Sequence, residues 1–163
     1  MIVVATPNRR VSRPVLESFL TQARRAVKLR GTVDVLLADD AELKRLNTAF
    51  RGKKKPTDVL SFPADDVAGK IAGDIAISLE TAARQAEEFG HTLQSEVKIL
   101  LLHGLLHLNG MDHETDEGEM ASREVLLRTR LKLPAGLIAR SGVHSTKSTH
   151  ATKKAVPVRK AAR

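Results

Sequence analysis

The chain has 163 residues, of which 42% are hydrophobic and 28% charged, a balance typical of one globular domain with a single core. The absence of cysteine excludes disulfide bonds, cysteine-based zinc sites and thiol nucleophiles. The formal net charge of +8 is uneven, because residues 9–55 and 140–163 are basic and residues 56–139 are acidic. This pattern favours either a polyanionic partner or a solvated surface with a solubilising tail.

The first part of the chain predicts alternating strands and helices. Residues 2–5 and 33–37 have the apolar pattern of short strands. Helices are expected at about residues 12–29, with Ser12 as the N-cap, and at about residues 40–49. The apolar residues of the first helix recur three and four positions apart, at Leu16, Phe19, Leu20, Ala23 and Val27.

The middle of the chain predicts a basic loop followed by two strands. The loop is residues 51–56 (RGKKKP), and the strands are expected at residues 57–62 and 71–78. The segment between the strands, residues 63–69, contains proline, aspartate and glycine and predicts a hairpin-type connection. A third helix, capped by Ser78, follows the second of these strands.

The last two predicted helices differ in character. The fourth, from about residue 92 to Gly110, is apolar on nearly all sides between Val97 and Leu108, so we expect it in the middle of the domain. A fifth helix begins at residues 115–117 and reaches about Leu131. The predicted order is βαβαββααα. This is an α/β (α+β) fold in which a small mixed sheet of about four strands packs with about five helices around the fourth helix.

The C-terminal segment has a different composition from the rest. Residues 140–163 contain no acidic residue and no periodic apolar face, so they predict a disordered basic tail after a domain at residues 1–139. The N-terminus lacks the pattern of a signal peptide, and the longest apolar stretch, residues 99–108, is too short to cross a bilayer. We therefore expect a cytoplasmic protein without a membrane partner, whose oligomeric state the sequence leaves open.

Three histidines near the end of the fourth helix form a candidate metal site. His103 and His107 are four residues apart and therefore share one helical face. Gly110 can adopt the left-handed conformation that ends a helix, which brings His113 back towards that face. Three imidazoles leave a fourth tetrahedral position for water, as in catalytic zinc sites. We predict one zinc ion per chain, although nickel, cobalt and copper also bind imidazole.

The residues beside these histidines leave the general base open. The peptidase pattern H-E-x-x-H has glutamate after the first histidine, and this chain has Gly104 there, which disfavours peptide hydrolysis. Asp112 and Glu114 flank His113, and either could orient an imidazole or act as a base; alternatively, Asp112 caps the turn. A lone histidine on an apolar face is usually a core residue, but the triple with its glycine turn favours a metal ion.

Three sequence blocks resemble those of the YbeY family, bacterial endoribonucleases that act in ribosomal RNA maturation. The blocks are LNTAFRGKKKPTDVLSFP at residues 46–63, GDIAIS at residues 73–78 and HGLLHLNGMDH at residues 103–113. They follow the family's order and spacing, and the resemblance covers about residues 1–135. Phe50 and Met111 depart from the family pattern, where an aromatic with a polar tip and a tyrosine are common.

The resemblance implies an activity and the residues that carry it. It implies that His103, His107 and His113 bind zinc and that Arg51 acts on the phosphate in the cleft. The implied function is single-strand-specific, metal-dependent cleavage of RNA in the maturation of the 3′ end of 16S ribosomal RNA and in ribosome quality control. The implied partners are ribosomal RNA and ribosomes or small-subunit precursors.

The chemistry of the residues favours the same class of reaction. A zinc ion polarises a phosphoryl oxygen and lowers the pKa of bound water. Arg51 offers a planar guanidinium that can bind a phosphate through two hydrogen bonds. Without the neighbouring lysines and the family resemblance, Arg51 would be interpreted as an ordinary surface arginine. Lys53, Lys54 and Lys55 could follow an RNA backbone. Two alternatives remain open: a zinc hydrolase acting on a substrate other than nucleic acid, and a ribosome-assembly factor without catalysis. The sequence also leaves open whether water or the 2′-hydroxyl attacks.

Overall fold

In the computed structural model, which describes residues 1–134, the chain forms one mixed sheet and five helices. The strands are β1 (Ile2–Val4), β2 (Thr32–Ala38), β3 (Val59–Pro63) and β4 (Ile71–Ser78). The helices are α1 (Arg13–Val27), α2 (Asp40–Arg51), α3 (Leu79–Phe89), α4 (Leu93–Leu108) and α5 (Glu119–Arg130). The predicted order βαβαββααα and the α/β class are confirmed. The predicted tail, residues 140–163, lies outside the described residues.

The four strands have the order β1-β2-β4-β3, with β1, β2 and β4 parallel and β3 antiparallel to β4. Alternation along β2 places Val35 and Leu37 in the larger core cluster and Leu36 in a smaller cluster on the opposite face. The larger cluster includes residues of α1 and α4, and the smaller one includes residues of α2. Helices therefore cover both faces of the sheet.

Helix α4 lies in the middle of the domain, as its composition predicts. It contacts α1, α3 and α5 as well as strands β3 and β4. Most of its residues between Val97 and Leu108 are buried, including His103. Within residues 1–134, no helix has the length and apolarity that crossing a membrane requires.

The end of α2 differs from the prediction in a way that matters for the site. The helix continues through Arg51, and Gly52, with a φ of 66°, ends it in the left-handed conformation. Arg51 is therefore the last residue of a helix and not part of the basic loop. The helix extends because Gly52 can adopt a positive φ, which lets its N–H donate to the carbonyl of Thr48 and the N–H of Lys53 donate to the carbonyl of Asn47.

Two other helices also deviate from expectation at their ends. Ser12 precedes α1, but its side chain makes no capping hydrogen bond, and Lys28 ends the helix in the left-handed conformation. Helix α5 begins at Glu119 and not at residues 115–117. The carboxylate of Asp116 accepts hydrogen bonds from the backbone N–H groups of Gly118 and Met120, which holds the preceding residues in a turn.

Strand β4 passes very close to β3 and to the end of α4 at Gly73, which has a φ of +148°. A Cβ at this position would collide with the carbonyl oxygen of Phe62 and lie 2.8 Å from Cδ2 of Leu108.

We expect Gly73→Ala to lower the free energy of unfolding by roughly 3 kcal/mol, because backbone strain adds to overpacking. Gly69→Ala is the control: φ is also positive there, but nothing lies within 4 Å. It should cost about 1 kcal/mol. Equal losses in urea denaturation would contradict this explanation.

Candidate metal centre

Three histidine rings converge at the C-terminal end of α4. Their ligand nitrogens all lie within 4.8 Å of one another, and Nε2 of His103 is 3.0 Å from Nε2 of His107. The ring centroid of His113 lies 5.3 Å from that of His103 and 5.6 Å from that of His107. A tetrahedral zinc ion with bonds of about 2.0–2.1 Å keeps its nitrogen ligands roughly 3.3 Å apart. The three rings thus fit a metal ion, and the structure brings together all three predicted ligands.

A tight turn after α4 explains how His113 reaches the other two rings. Gly110 has a φ of 85°, the left-handed conformation expected from the sequence. Its N–H donates to the carbonyl of His107 at 2.9 Å, and the N–H of Met111 donates to the carbonyl of Leu106 at 3.1 Å. These bonds fold the chain back over the last turn of the helix, which carries His113 to the face that holds His103 and His107.

Burial favours the uncharged form of two of these rings, His107 and His113. Burial, together with His103 and His113 nearby, lowers the pKa of His107 to about 3. Burial also lowers the pKa of His113, and neighbouring carboxylates oppose that shift. Neutral imidazole is the form that binds a metal ion, so protons compete little for His107 at neutral pH.

We expect the metal-free protein to lose stability as the pH falls from about 6.5, the ordinary histidine pKa, towards the pKa of about 3 that His107 has in the fold. Between these values the unfolded chain binds more protons than the folded chain, which favours unfolding as the pH falls. Urea denaturation with a chelator present, at a series of pH values, measures the effect. His107→Gln lacks this proton uptake and should show a shallower pH dependence. Parallel curves would contradict the expectation.

Arg51 lies close to the histidines although it belongs to a different helix. It interacts electrostatically with His107 and with Glu114. Burial lowers the pKa of Arg51 to about 10 and Glu114 opposes the shift, so the side chain remains cationic at neutral pH. Within residues 1–134, its buried Nε has no hydrogen-bond partner. A buried cationic donor in this state is suited to an anionic ligand such as a phosphate.

The basic loop follows Arg51 directly. Asn47 is buried, and its Nδ2 donates to the carbonyl of Lys55 at 2.9 Å, while Thr48 Oγ1 donates to the carbonyl of Lys53 at 3.3 Å. These bonds hold the loop backbone against the last turn of α2. The side chains of Lys54 and Lys55 are exposed, and that of Lys53 is half-buried. Contact between these lysines and RNA stays a prediction.

Asp112 and Glu114 occupy different environments beside His113. Oδ1 of Asp112 accepts from the N–H of Glu114, and its carbonyl accepts from the N–H of Asp116, both at 3.0 Å. Asp112 therefore caps the turn, one of the two interpretations that the sequence left open. Glu114 is exposed and interacts electrostatically with Arg51 and His113. A role as general base for either carboxylate stays a prediction.

Glu124 is a residue of the site that no sequence motif pointed to. Helix α5 buries Met120, Glu124 and Leu127, which are spaced four and three residues apart on one face. Oε2 of Glu124 lies 3.3 Å from Nδ1 of His103. The signal in the sequence is a carboxylate in the apolar stripe of a helix, since a buried carboxylate requires a polar or charged partner.

The environment of Gly104 bears on the peptidase alternative. A Cβ at this position would lie 2.9 Å from Cδ1 of Ile75 and 3.1 Å from Oγ of Ser61. Ser61 Oγ also donates to the carbonyl of Gly104, at 3.4 Å. The helix thus packs closely on β3 and β4 here, and a glutamate at position 104 would require the side chains of Ile75 and Ser61 to shift. The chain therefore has a closely packed glycine where the H-E-x-x-H peptidases have their general base, which disfavours peptide hydrolysis.

Comparisons with known proteins point to one family. A family model described as Endoribonuclease YbeY matches residues 4–132, a range that contains the whole candidate metal centre. A protein named Endoribonuclease YbeY from Koribacter versatilis (strain Ellin345) is 51% identical over 141 residues, 86% of this chain and 91% of the relative. One of the same name from Solibacter usitatus (strain Ellin6076) is 52% identical over 128 residues, 78% of this chain and 85% of the relative. The solution structure of TM1509 from Thermotoga maritima is similar with a TM-score of 0.56 and 29% identity, covering 91% of this chain and 97% of that one.

Proposed function

The chain belongs to the YbeY endoribonuclease family, and we propose that it is a metal-dependent endoribonuclease that uses one zinc ion bound by His103, His107 and His113. The observation that carries the proposal is the convergence of three imidazoles next to the half-buried cation Arg51. Zinc suits a site made only of imidazole nitrogens with one position left for a further ligand. A fixed cation beside such a site favours an anionic substrate.

Each residue of the site has a distinct part in phosphodiester cleavage. When bound, the ion supplies Lewis-acid chemistry, which polarises a phosphoryl oxygen and lowers the pKa of the attacking group. The histidines hold the ion through neutral nitrogens. Arg51 binds the phosphate through its planar fork and stabilises the negative charge that develops in the transition state. Its partial burial strengthens this interaction, because less water screens the charge.

We propose single-stranded RNA as the substrate, in particular the 3′ end of 16S ribosomal RNA in small-subunit precursors, with a further role in ribosome quality control. Such a role places the protein in the cytoplasm. Lys53, Lys54 and Lys55 extend the positive charge away from Arg51 and can follow the RNA backbone. Aromatic residues make up only 2% of the chain, so binding should depend on phosphates and not on stacked bases. Sequence preference then comes from the ribosomal context.

Cleavage by the zinc-loaded chain tests the proposal. The protein is incubated with ribosomes, with naked ribosomal RNA and with an RNA duplex, each with and without a chelator. We expect chelator-sensitive cleavage of single-stranded RNA and little cleavage of the duplex. A zinc-loaded chain that binds ribosomes but cuts no RNA would instead support the assembly factor. Hydrolysis of esters or peptides with intact RNA would support a hydrolase of another class.

We also propose that residues 140–163 are an electrostatic accessory to RNA binding. They carry seven positive charges and no acidic residue. A chain that ends at Ala139 keeps Arg51 and the three histidines, so it should fold and bind zinc as the full chain does. Its affinity for RNA should fall at low salt, and the slope of log affinity against log salt should flatten, because fewer counterions are released. RNA titrations of both chains at several salt concentrations measure the slopes, and identical slopes would indicate an inert extension.

A further inference from the structure

Glu124 links helix α5 to the candidate metal centre through His103. Both residues are almost completely buried, with exposed fractions of 2% for Glu124 and 1% for His103. Oε2 of Glu124 lies 3.3 Å from Nδ1 of His103, whereas the other ring nitrogen, Nε2, faces His107. The carboxylate also interacts electrostatically with His113. Glu124 thus contacts His103 directly and interacts electrostatically with His113.

This contact determines which nitrogen of His103 is available to a metal ion. An ionised carboxylate only accepts hydrogen bonds, so a hydrogen bond between these two atoms requires the ring proton of His103 on Nδ1. Nε2 then has the free lone pair, and it is this atom that lies 3.0 Å from Nε2 of His107. A carboxylate behind a ligating imidazole fixes the orientation of the ring and raises its basicity.

Glu124 also changes the charge of the site. Three neutral imidazoles bring no negative charge to a divalent cation, and an uncompensated charge is costly where burial excludes water. Two other carboxylates lie near the histidines, but Asp112 is engaged in capping the turn and Glu114 is exposed. Of the three, Glu124 is the buried one, where its charge is least screened by water.

We propose that Glu124 is a positioning residue that holds His103 in its Nδ1–H form and supplies the negative charge that a divalent cation requires at this site. The inference rests on the proposed function in one respect, namely that the three histidines bind a metal ion. Because the carboxylate contacts Nδ1 of His103, the ring nitrogen opposite the one that faces His107, Glu124 sets the affinity of the site for its metal ion.

Two substitutions at position 124 and one matched control test this role. Glu96 is the control, because it is a fully buried glutamate of α4 that contacts a different histidine, His91. Zinc affinity of the full chain is measured by competition with a chromophoric chelator. We expect Glu124→Ala to weaken zinc binding by about 10- to 100-fold. Glu124→Gln keeps an acceptor but loses the charge, so it should fall between Glu124→Ala and the wild type, and Glu96→Gln should bind zinc as the wild type does.

A measurement on the unaltered protein complements the variants. Nitrogen-15 NMR of the zinc-loaded wild type should show His103 bound through Nε2 with a proton on Nδ1. His103 bound through Nδ1, or wild-type affinity in Glu124→Ala and Glu124→Gln, would overturn the proposal while leaving the zinc-dependent function intact. A wild-type chain without zinc affinity would refute the zinc-dependent function and, with it, the role of Glu124.

Discussion

Replacing His107 by alanine should empty the metal site and abolish RNA cleavage. In the proposed site His107 supplies one of three nitrogen ligands, and its Nε2 lies 3.0 Å from that of His103. A structural zinc ion contributes roughly 10–16 kcal/mol over four ligands, so one lost ligand should lower zinc affinity at least on the order of a hundredfold. Cleavage should fall to the level of the chelator-treated wild type, because no other group polarises the phosphate in the same way.

Elemental analysis and a cleavage assay on the same preparations measure both effects. His150→Ala is the matched control, because it removes an imidazole from the C-terminal segment and keeps the three converging rings. That variant should retain one zinc ion per chain and full activity. A His107→Ala protein that still holds one zinc ion would exclude His107 as a ligand, and one that loses zinc but cleaves RNA normally would exclude a catalytic metal.

Replacing Arg51 by alanine should leave zinc binding intact but slow RNA cleavage by roughly 10²- to 10³-fold. This is the usual cost of removing one group that stabilises charge in a transition state. The loss should appear mainly in kcat, because the interaction strengthens as negative charge builds up on the phosphate. Arg51 is half-buried, and its Nε has no hydrogen-bond partner in the described part of the chain. Its removal should therefore lower the free energy of unfolding only slightly.

Two further variants identify the property of Arg51 that matters. Arg51→Lys keeps the charge but not the planar fork, so it should recover only part of the lost rate. Arg45→Ala removes a cation from the same helix, where Arg45 is paired with Glu42 at 2.7 Å, and should cleave RNA as the wild type does. Equal loss in Arg45→Ala and Arg51→Ala would mean that general positive charge is responsible. Normal kcat in zinc-loaded Arg51→Ala would remove Arg51 from the mechanism.

The sequence by itself determined the order of the elements and the relation between two of the histidines. Any helix at residues 103–107 places His103 and His107 on one face, and Gly110 is the residue that can end that helix with a positive φ. The apolar stretch around them likewise predicts a central helix. These features depend on neighbours within one or two turns of the backbone, so a linear pattern is enough to predict them.

Only the tertiary structure decides that Arg51 and Glu124 lie near the three histidines. Arg51 interacts with His107 because α2 continues two residues further than predicted, through Arg51, and because the fold brings the end of α2 near the histidines of α4. Glu124 reaches His103 because α5 packs its buried face on α4. Both interactions join residues far apart in the chain, and their geometry depends on how whole helices pack against the sheet and against each other. Local spacing carries no information about that packing.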